Sequence, residues 1–562
     1  MAGTSCNIIK EFDNHDMVTS ASSTPSLSMS GEFSKVTADT KPETKNDIHS
    51  RSGTCSDPAD GGGNDDPEGI TQHSRRQSTG LGPALKVARL KRRGLFGQIT
   101  LVAEVENPKT YSRNMKWLIT FNVALAGSAA PLGSSIIFSS LSQVTKEFGT
   151  TTTIANLSIA FYLLSMSIFP LWWSSFSERL GRRTIYLASF SLFVVFNCIC
   201  AISSSIEMFI IMRMLSGGAS ASVQALGAGS IADIWDSRER GRAMGIFFLG
   251  PLCGPLFAPI IGGLLAQRWG WRSTMWFLAL FGAFTLIFVM LFLPETLTVR
   301  KPFEDSEYSA TSRQVVRSTT RWLRVLKTIF VDPLRIILYL QFFPVLLSVY
   351  YGGITFGSLY VLNVSIEQTF AKAPYNFSTI PIGLLYIPNS LGYILASIFG
   401  GRWMDSIMHR EAKKANRYDE EGRLLLRSED RMRENAWLGA FLYPGALIWY
   451  GWATQNGVFW LVPMIANFFF GIGSVLIFNV VTTMLTEFMP KKSSEGVALN
   501  NFMRNIFSCV GSLATAPILA GIGNGWLFTI VGIFSLASSS VIFLMRAYSS
   551  KWRKTMDAHM LL

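Results

Sequence analysis

Apolar residues in this chain gather into long runs separated by polar stretches. A helix needs roughly 20 apolar residues to cross the hydrocarbon core of a bilayer, and the pattern predicts twelve such helices, so we expect an all-α integral membrane protein. The predicted spans cover about 115–138, 152–175, 184–204, 208–231, 243–266, 274–293, 335–361, 379–402, 436–454, 458–483, 497–521 and 524–546.

The longest polar stretches divide the chain into parts. We predict an N-terminal six-helix half at 115–293, a cytoplasmic central loop at 294–334 and a C-terminal six-helix half at 335–546. Residues 1–114 are rich in Ser, Thr, Asp and Gly and lack a secretory signal, which is typical of a long disordered cytoplasmic tail. Residues 547–562 are predicted to form a second cytoplasmic tail.

Composition and charge agree with membrane insertion. Of the 562 residues, 49% are hydrophobic and 15% are charged. The net charge of +13 comes from basic residues spread over the loops, which argues against a nucleic-acid surface. Lys and Arg are concentrated in alternate connections, so the positive-inside rule predicts that both termini are cytoplasmic.

Nothing in the sequence indicates catalysis. The six cysteines show neither a disulfide framework nor metal-ligand spacing, and the five histidines lie outside the predicted spans. The phosphate-binding loop of a pump ATPase is also missing from the sequence. We therefore predict no enzyme activity, no metal site and no cofactor.

Short motifs recur at an offset of six spans. The second span ends in SSFSERLGRR and the eighth in GRWMD, each with a small residue four positions before an acid, Glu178 or Asp405. The fifth and eleventh spans share an Ala-Pro pair followed by two small residues, beginning at Ala258 and Ala516. Two parallel halves, related by an axis along the membrane normal, would give this offset.

The fifth span contains GPLCGPLFAPIIGG at 250–263, in which prolines and small residues recur every four positions. In a bilayer, neighbouring helices can satisfy the carbonyls that proline frees, and small residues let another helix approach closely. We interpret the stretch as a hinge and sliding surface, with a merely kinked packing helix as the alternative. We expect the fifth span to pack on the eighth, and the eleventh on the second. The hinge residues are Gly250, Pro251, Gly254, Pro255, Ala258, Pro259, Gly262 and Gly263.

These motifs resemble those of the major facilitator superfamily, specifically its twelve-span fungal drug:proton antiporters of the quinidine-resistance and dityrosine-exporter type. SSFSERLGRR is similar to G-x-L-x-D-R-x-G-R-R, and the five residues RMLSG that begin at Arg213 are similar to R-x-x-Q-G. The stretch 250–263 resembles the antiporter signature G-x-x-x-G-P-x-x-G-G, and LPET at 293–296 is a further match.

The resemblance covers residues 115–546 and implies the major facilitator fold. It also implies a monomeric plasma-membrane carrier that exports small amphipathic compounds by alternating access. Expected cargoes are drugs, weak acids, and amino-acid or dityrosine-type metabolites, moved in exchange for protons, so that the cell resists several drugs. Two alternatives stay open: a proton-coupled nutrient uptake permease and a membrane receptor or scaffold without transport.

The resemblance gives the loop after the second span the role of a conformational latch. Asp233 is a candidate partner for Arg179 or Arg182, and Glu178 for the positive end of the eleventh helix. If they have no such role, the arginines are only topological anchors. The predicted latch residues are Glu178, Arg179, Gly181, Arg182, Arg183, Asp233, Gly401 and Asp405.

Arg213 lies about six residues inside the fourth span, where a charge is expensive and usually functional. The resemblance implies that it handles protons; the alternative is a side chain that snorkels to the outer surface. The sequence predicts no Asp or Glu in the middle of any span, so the group that carries the proton stays open.

Several polar and aromatic residues are predicted at the depth of a substrate cavity between the halves. Arg504 ranks first, because a second cation in an apolar span would attract an anionic or zwitterionic compound. Asn363 and Asn376 begin Asn-x-Ser sequons in the predicted outward loop, so the chain is expected to be a glycoprotein. The cavity candidates are Asn122, Gln224, Gln341, Tyr350, Tyr351, Asn389, Asn479, Asn501 and Arg504.

Overall fold

The computed structural model describes residues 85–297, 331–418, 424, 432–488 and 493–560. Within these ranges the chain is helical, and its β-pairing is limited to isolated bridges. The predicted disorder of residues 1–84 and most of the predicted central loop lie outside the described residues.

Twelve helices of membrane-spanning length are present in the described part of the chain. Nine candidate spans are long and apolar enough to cross a bilayer. The last of them turns at Gly523, where the backbone leaves helical geometry, and so contains two spans. Two further helices, Ser237–Trp269 and Glu434–Gln455, complete the set. The fold class predicted from hydropathy is confirmed.

The helices are numbered in chain order. They are α1 Arg113–Glu147, α2 Thr152–Leu180, α3 Arg182–Ala201, α4 Ile206–Ile234, α5 Ser237–Trp269, α6 Arg272–Phe292, α7 Phe343–Phe370, α8 Thr379–Lys414, α9 Glu434–Gln455, α10 Leu461–Phe488, α11 at 493–522 and α12 at 524–560.

Successive helices cross in opposite directions, which gives the bundle two faces. The start of α3, the end of α4 and the residues after α6 meet at one of them, through contacts of Arg182 with Asp233 and Glu295. We call this the terminal face, because α1 begins and α12 ends there. At the opposite, distal face, Arg272 bonds to Glu147 and to the Ser203 carbonyl.

Three predicted boundaries are wrong. The predicted seventh span began at 335, but residues Asp332–Gln341 form a separate 3-10 helix, and α7 runs from Phe343 to Phe370. Helix α8 continues to Lys414, twelve residues beyond its predicted end at 402. The last helix continues to Met560, through most of the predicted C-terminal tail. Polar residues extend these helices past their apolar runs.

The predicted disordered tail also ends too late, because residues 85–112 have defined structure. The Val87 N–H donates to the Glu104 carbonyl at 2.8 Å, and the Arg93 guanidinium lies 2.5 Å from the Glu104 carboxylate. The Leu101 N–H donates to the Leu291 carbonyl at 2.8 Å. This segment therefore packs on the end of α6 at the terminal face.

Candidate functional site

The first component of the site is Arg213 on α4. Its side chain is fully buried, so the snorkelling alternative is wrong for this structure. The Nη2 group donates to the Gly133 carbonyl at 2.8 Å, and the guanidinium lies 4.3 Å from the centre of the Tyr162 ring. Gly133 can accept because α1 is interrupted on both sides of it, at Ser128 and Ile136.

The positive charge of Arg213 is only partly compensated by the groups around it. Its Nε and Nη1 groups are buried and have no hydrogen-bond partner among the described residues, and no described carboxylate lies within 4 Å of it. The Tyr162 ring supplies a cation–π contact, which is worth about 2 kcal/mol when desolvated. Buried donors without partners are costly, so Arg213 is suited to bind a transient acceptor such as water or substrate.

Arg504 on α11 provides a matching cation in the C-terminal half. Its guanidinium lies 3.9 Å from the centre of the Phe356 ring on α7 and 4.9 Å from that of Phe478 on α10. The Nε group is buried and has no hydrogen-bond partner among the described residues. Like Arg213, it rests on aromatic faces, with no described carboxylate in ion-pair range.

A layer of hydroxyl and aromatic groups connects the two arginines. Ser134 Oγ lies 3.1 Å from the Tyr360 hydroxyl, which links α1 to α7 across the two halves. The Tyr360 ring lies 5.4 Å from the Phe356 ring, centre to centre, and 6.0 Å from the Phe138 ring. We call this set the central layer. Its members are Ser134, Phe138, Tyr162, Arg213, Phe356, Tyr360, Phe478 and Arg504.

Helices α2 and α11 pack against each other beside the central layer. Ser167 Oγ donates to the Phe502 carbonyl at 2.9 Å, and Asn505 Nδ2 donates to the Met166 carbonyl at 3.4 Å. The predicted packing of the eleventh span on the second is therefore confirmed. These contacts join the halves at mid-depth.

The small-residue stripe of α5 packs mainly on α1 instead of α8. A Cβ on Gly250 would collide with the Ala124 backbone, and one on Gly254 would lie 2.7 Å from Pro131. A Cβ on Gly262 would likewise meet the Ile136 carbonyl. The expected pairing along the eighth span is wrong for most of the stripe, because the broken helix α1 occupies the small face.

The fifth and eighth spans do meet at the distal face. A Cβ on Gly263 would lie 2.8 Å from the Thr379 carbonyl, and Gly383 packs closely on the Pro259 carbonyl. In the other half, a Cβ on Gly511 would lie 3.0 Å from the Gly357 carbonyl, so α11 packs on α7 as α5 packs on α1. The two halves thus repeat one packing arrangement.

The predicted latch residues lie at the terminal face of the N-terminal half. Arg182 Nε is 3.4 Å from Asp233 Oδ2, and the Arg182 N–H donates to Glu295 Oε1 at 2.9 Å. Gly181 has a φ of 100°, which L side chains rarely adopt and which forms the turn between α2 and α3. A latch role for these residues, and for Glu178 and Arg179, stays a prediction.

Arg183 is fully buried, and its side chain caps backbone carbonyls at the end of a helix. Its guanidinium donates to the Met290 carbonyl in the last turn of α6 at 2.8 Å and to the carbonyl of Leu293, the residue after α6. It also donates to the carbonyls of Leu95 and Phe96, both at 3.0 Å, in the segment before α1. The sequence interpretation of Arg183 as a loop anchor missed this capping of orphan carbonyls.

The two latch residues predicted in the C-terminal half lie on α8. A Cβ on Gly401 would meet no described atom within 4 Å, so close packing does not require a glycine there. The side chain of Asp405 lies outside the described residues. Their equivalence to the latch in the first half stays a prediction.

Three of the cavity candidates bond within their own half. Asn122 Nδ2 donates to the Phe288 carbonyl on α6 at 3.2 Å. The hydroxyls of Tyr350 and Tyr351 lie 3.2 Å and 3.1 Å from Ser538 Oγ and Ser539 Oγ, so they join α7 to α12. These contacts position helices inside a half.

The other cavity candidates differ in depth. Gln341 is exposed in the short helix before α7, near the terminal face, so its predicted position at mid-depth is wrong. Asn389 packs on Gly471, and Asn479 lies beside Gly400, both between α8 and α10. The roles of these residues, and of Gln224 and Asn501, in substrate binding stay predictions.

The sequence reasoning missed Glu367, because the predicted seventh span ended at 361. In the structure Glu367 is on α7, only 2% exposed, and accepts the Ser142 N–H at 3.0 Å. Pro344 in the first turn of α7 was a usable signal, since proline is favoured at a helix start. The same shift places the Asn363 sequon inside α7, where it is buried, so only the exposed Asn376 keeps the predicted glycosylation.

The helices and the central layer define a multi-pass membrane carrier with two six-helix halves and its polar groups between them. This chain belongs to the Major Facilitator Superfamily, whose family model matches residues 123–512. It is therefore a membrane transporter for small molecules.

Two fungal transporters are similar to this chain over most of its length. MFS antiporter QDR3 of Candida albicans is 34% identical over 84% of this chain and 83% of its own length. Quinidine resistance protein 3 of Saccharomyces cerevisiae is 30% identical over 84% of this chain and 88% of its own length. The crystal structure of a D-xylose-proton symporter has the same fold, with a TM-score of 0.55 and 15% identity over 76% of this chain and 97% of that one.

Proposed function

We propose that this transporter exports small amphipathic compounds from the cytosol by alternating access, in exchange for protons. In this proposal it acts as a monomer in the plasma membrane and protects the cell against several drugs. The basic loops at the terminal face support a cytosolic position for that face by the positive-inside rule, in which case the distal face opens outward.

The observation that carries the proposal is the central layer. Two arginines from opposite halves, Arg213 and Arg504, lie against aromatic rings with no described carboxylate in ion-pair range. Aromatic faces favour flat apolar rings, and buried cations favour anionic or zwitterionic groups. The layer thus suits a flat, partly apolar compound that carries a negative or polar group, such as a weak acid or an amino-acid conjugate.

The relatives support export and exchange by their names alone. One is called an antiporter and the other a quinidine resistance protein. A carrier that exchanges a drug for a proton fits both names.

Arg213 is proposed to assist proton handling. A buried cation stabilises a nearby deprotonated group and raises the cost of a second positive charge. Substrate bound near Arg213 would therefore change the proton affinity of a nearby group, which would couple substrate binding to proton binding in an antiporter.

Uptake of a nutrient with protons is the main competing function, and a receptor without transport is the second. The direction of proton movement separates the first from export, because uptake is driven by a proton gradient that runs the same way as the substrate. A receptor would bind ligand without any flux.

The test is flux in sealed inside-out vesicles, with the interior made acidic. The panel consists of radiolabelled quinidine, amino acids and a dityrosine conjugate. We expect uptake of at least one compound that collapses when a protonophore removes the gradient. Absence of gradient-dependent movement for the whole panel would reject antiport. Accumulation only under the reversed gradient would establish uptake instead.

A further inference from the structure

Glu367 is a buried acid at the place where the two halves close on each other. It lies one turn before the end of α7, near the distal face, and only 2% of it is exposed. Its Oε1 atom accepts the N–H of Ser142, which belongs to α1 of the other half, at 3.0 Å.

Other contacts between the halves surround this one. Gln143 Nε2 lies 3.4 Å from Thr379 Oγ1, and the Ile380 N–H donates to Gln267 Oε1 at 3.0 Å. We call these contacts the distal gate; its members are Ser142, Gln143, Gln267, Glu367, Thr379 and Ile380. Opening the site to the distal side requires that they separate, which would bring Glu367 into contact with water.

The surroundings of Glu367 do not balance a negative charge. Helix α1 presents Ser142, α8 presents the hydroxyl of Tyr386, and the loop after α7 presents Lys372. No described basic side chain lies within 4 Å of the Glu367 carboxyl. By contrast, the buried Glu411 at the terminal face lies 2.9 Å from Arg433 and 3.7 Å from Lys414.

Burial without a described cation in ion-pair range makes the gate sensitive to the protonation of Glu367. Removing an ionised carboxylate from water costs several kcal/mol, whereas a neutral carboxylic acid costs far less. Closing the gate on a protonated Glu367 is therefore easier than closing it on a charged one.

We propose that Glu367 is a proton-binding site that takes a proton from the distal solution while the gate is open, and that this proton closes the gate. In the step, a hydronium ion gives its proton to the carboxylate, an O–H bond forms, and water is released. The inference rests on the proposed function only in identifying this proton with the one exchanged for substrate.

The gate can be measured without any substrate. Spin labels are placed at Gln267→Cys and Ile380→Cys in the full chain, with the six native cysteines replaced, and their separation is recorded in nanodiscs by pulsed electron resonance. With Glu367 present, we expect the ratio of open to closed gates to rise about tenfold from about pH 5.5 to about pH 8, the effect of a tenfold difference in proton affinity between two states.

Variants of Glu367 distinguish the effect of its carboxyl group from the effects of the other gate contacts. Glu367→Gln imitates the neutral acid, so its gate should be closed at both pH values, while Glu367→Asp should keep a pH-dependent separation. The matched control is Glu147→Gln, which removes a distal-face carboxylate that bonds to Arg272 within one half, and it should keep the response of the parent.

An unchanged pH response in Glu367→Gln, or no response in the parent, would overturn the assignment. Because no substrate is present, either result leaves the flux test of antiport untouched. Conversely, failure of the flux test would not alter a gate response that depends on Glu367.

Discussion

At the scale of single residues, this protein keeps two arginines inside an apolar bundle by placing them on aromatic rings. Arg213 rests on Tyr162, and Arg504 rests on Phe356 and Phe478. A planar guanidinium suits this position better than an ammonium group, because it stacks on a ring and can still donate sideways. Three of the guanidinium donors have no hydrogen-bond partner among the described residues, Nε and Nη1 in Arg213 and Nε in Arg504, which fits the proposed binding of cargo.

Replacing Arg213 should stop transport without preventing insertion. Arg213→Ala removes the bond to Gly133 and the only described cation on the Tyr162 ring, so we expect flux to fall at least tenfold. Arg213→Lys keeps the charge but not the planar fork and should restore only part of the flux. The measurement is vesicle flux normalised to the amount of inserted protein.

The matched control is Arg268→Ala, since Arg268 is an exposed arginine on α5 at the distal face. It should transport like the parent. Parent-like flux in Arg213→Ala would show that the buried cation is dispensable.

At the scale of helices, the close approach of α1 at the glycines of α5 explains why this proline-rich helix stays continuous. Its prolines give up helical hydrogen bonds, yet the helix stays continuous from Ser237 to Trp269 because α1 packs on its small face. Ser139 Oγ donates to the Pro259 carbonyl at 2.7 Å, so a side chain of the neighbouring segment satisfies part of the backbone there.

Adding one methyl group to this face should destabilise the bundle. The Gly250→Ala side chain would collide with the backbone of Ala124, which cannot rotate away, so we expect a loss of about 1–3 kcal/mol in the free energy of unfolding. Thermal unfolding of the purified protein in detergent measures it as a lower melting temperature.

Gly245→Ala, in the same helix, is the control. A Cβ there would meet no described atom within 4 Å, so the substitution should be neutral or stabilise by about 0.5–1 kcal/mol. Equal effects of the two substitutions would mean that contact with α1 does not determine the choice of Gly250.

Hydropathy predicted the number and order of the helices, because a helix that crosses the bilayer must be largely apolar, whichever neighbours it packs against. It did not predict where α7 ends, since Glu367 reads as a loop residue until its burial against Ser142 is known. Nor did it predict the partner of the α5 stripe, because small residues show only that some helix comes close. The arginines were found as isolated charges in apolar runs, but their aromatic partners come from helices distant in sequence.

At the scale of the whole molecule, alternating access requires two halves that move as units, and the contacts are arranged accordingly. Within each half, helices are fixed by glycine packing and by buried bonds such as that of Asn122 to α6. Between the halves, the hydrogen bonds of the distal gate are each worth about 1 kcal/mol and break readily, and they lie beside the close packing of α5 on α8 at Gly263 and Gly383. The distal gate therefore separates at lower cost than either half unfolds.

Locking the distal gate should stop transport reversibly. Cysteines at Gln267 and Ile380, whose side chain and backbone touch across the halves, can be joined by a short cleavable thiol crosslinker. Because the halves must part there to release cargo, we expect crosslinked protein to lose nearly all flux and to regain it when the linker is reduced. A cysteine pair at Tyr375 and Val458, which bond to each other within the C-terminal half, should crosslink without loss of flux. Full transport by protein joined across the distal gate would show that cargo leaves by another route.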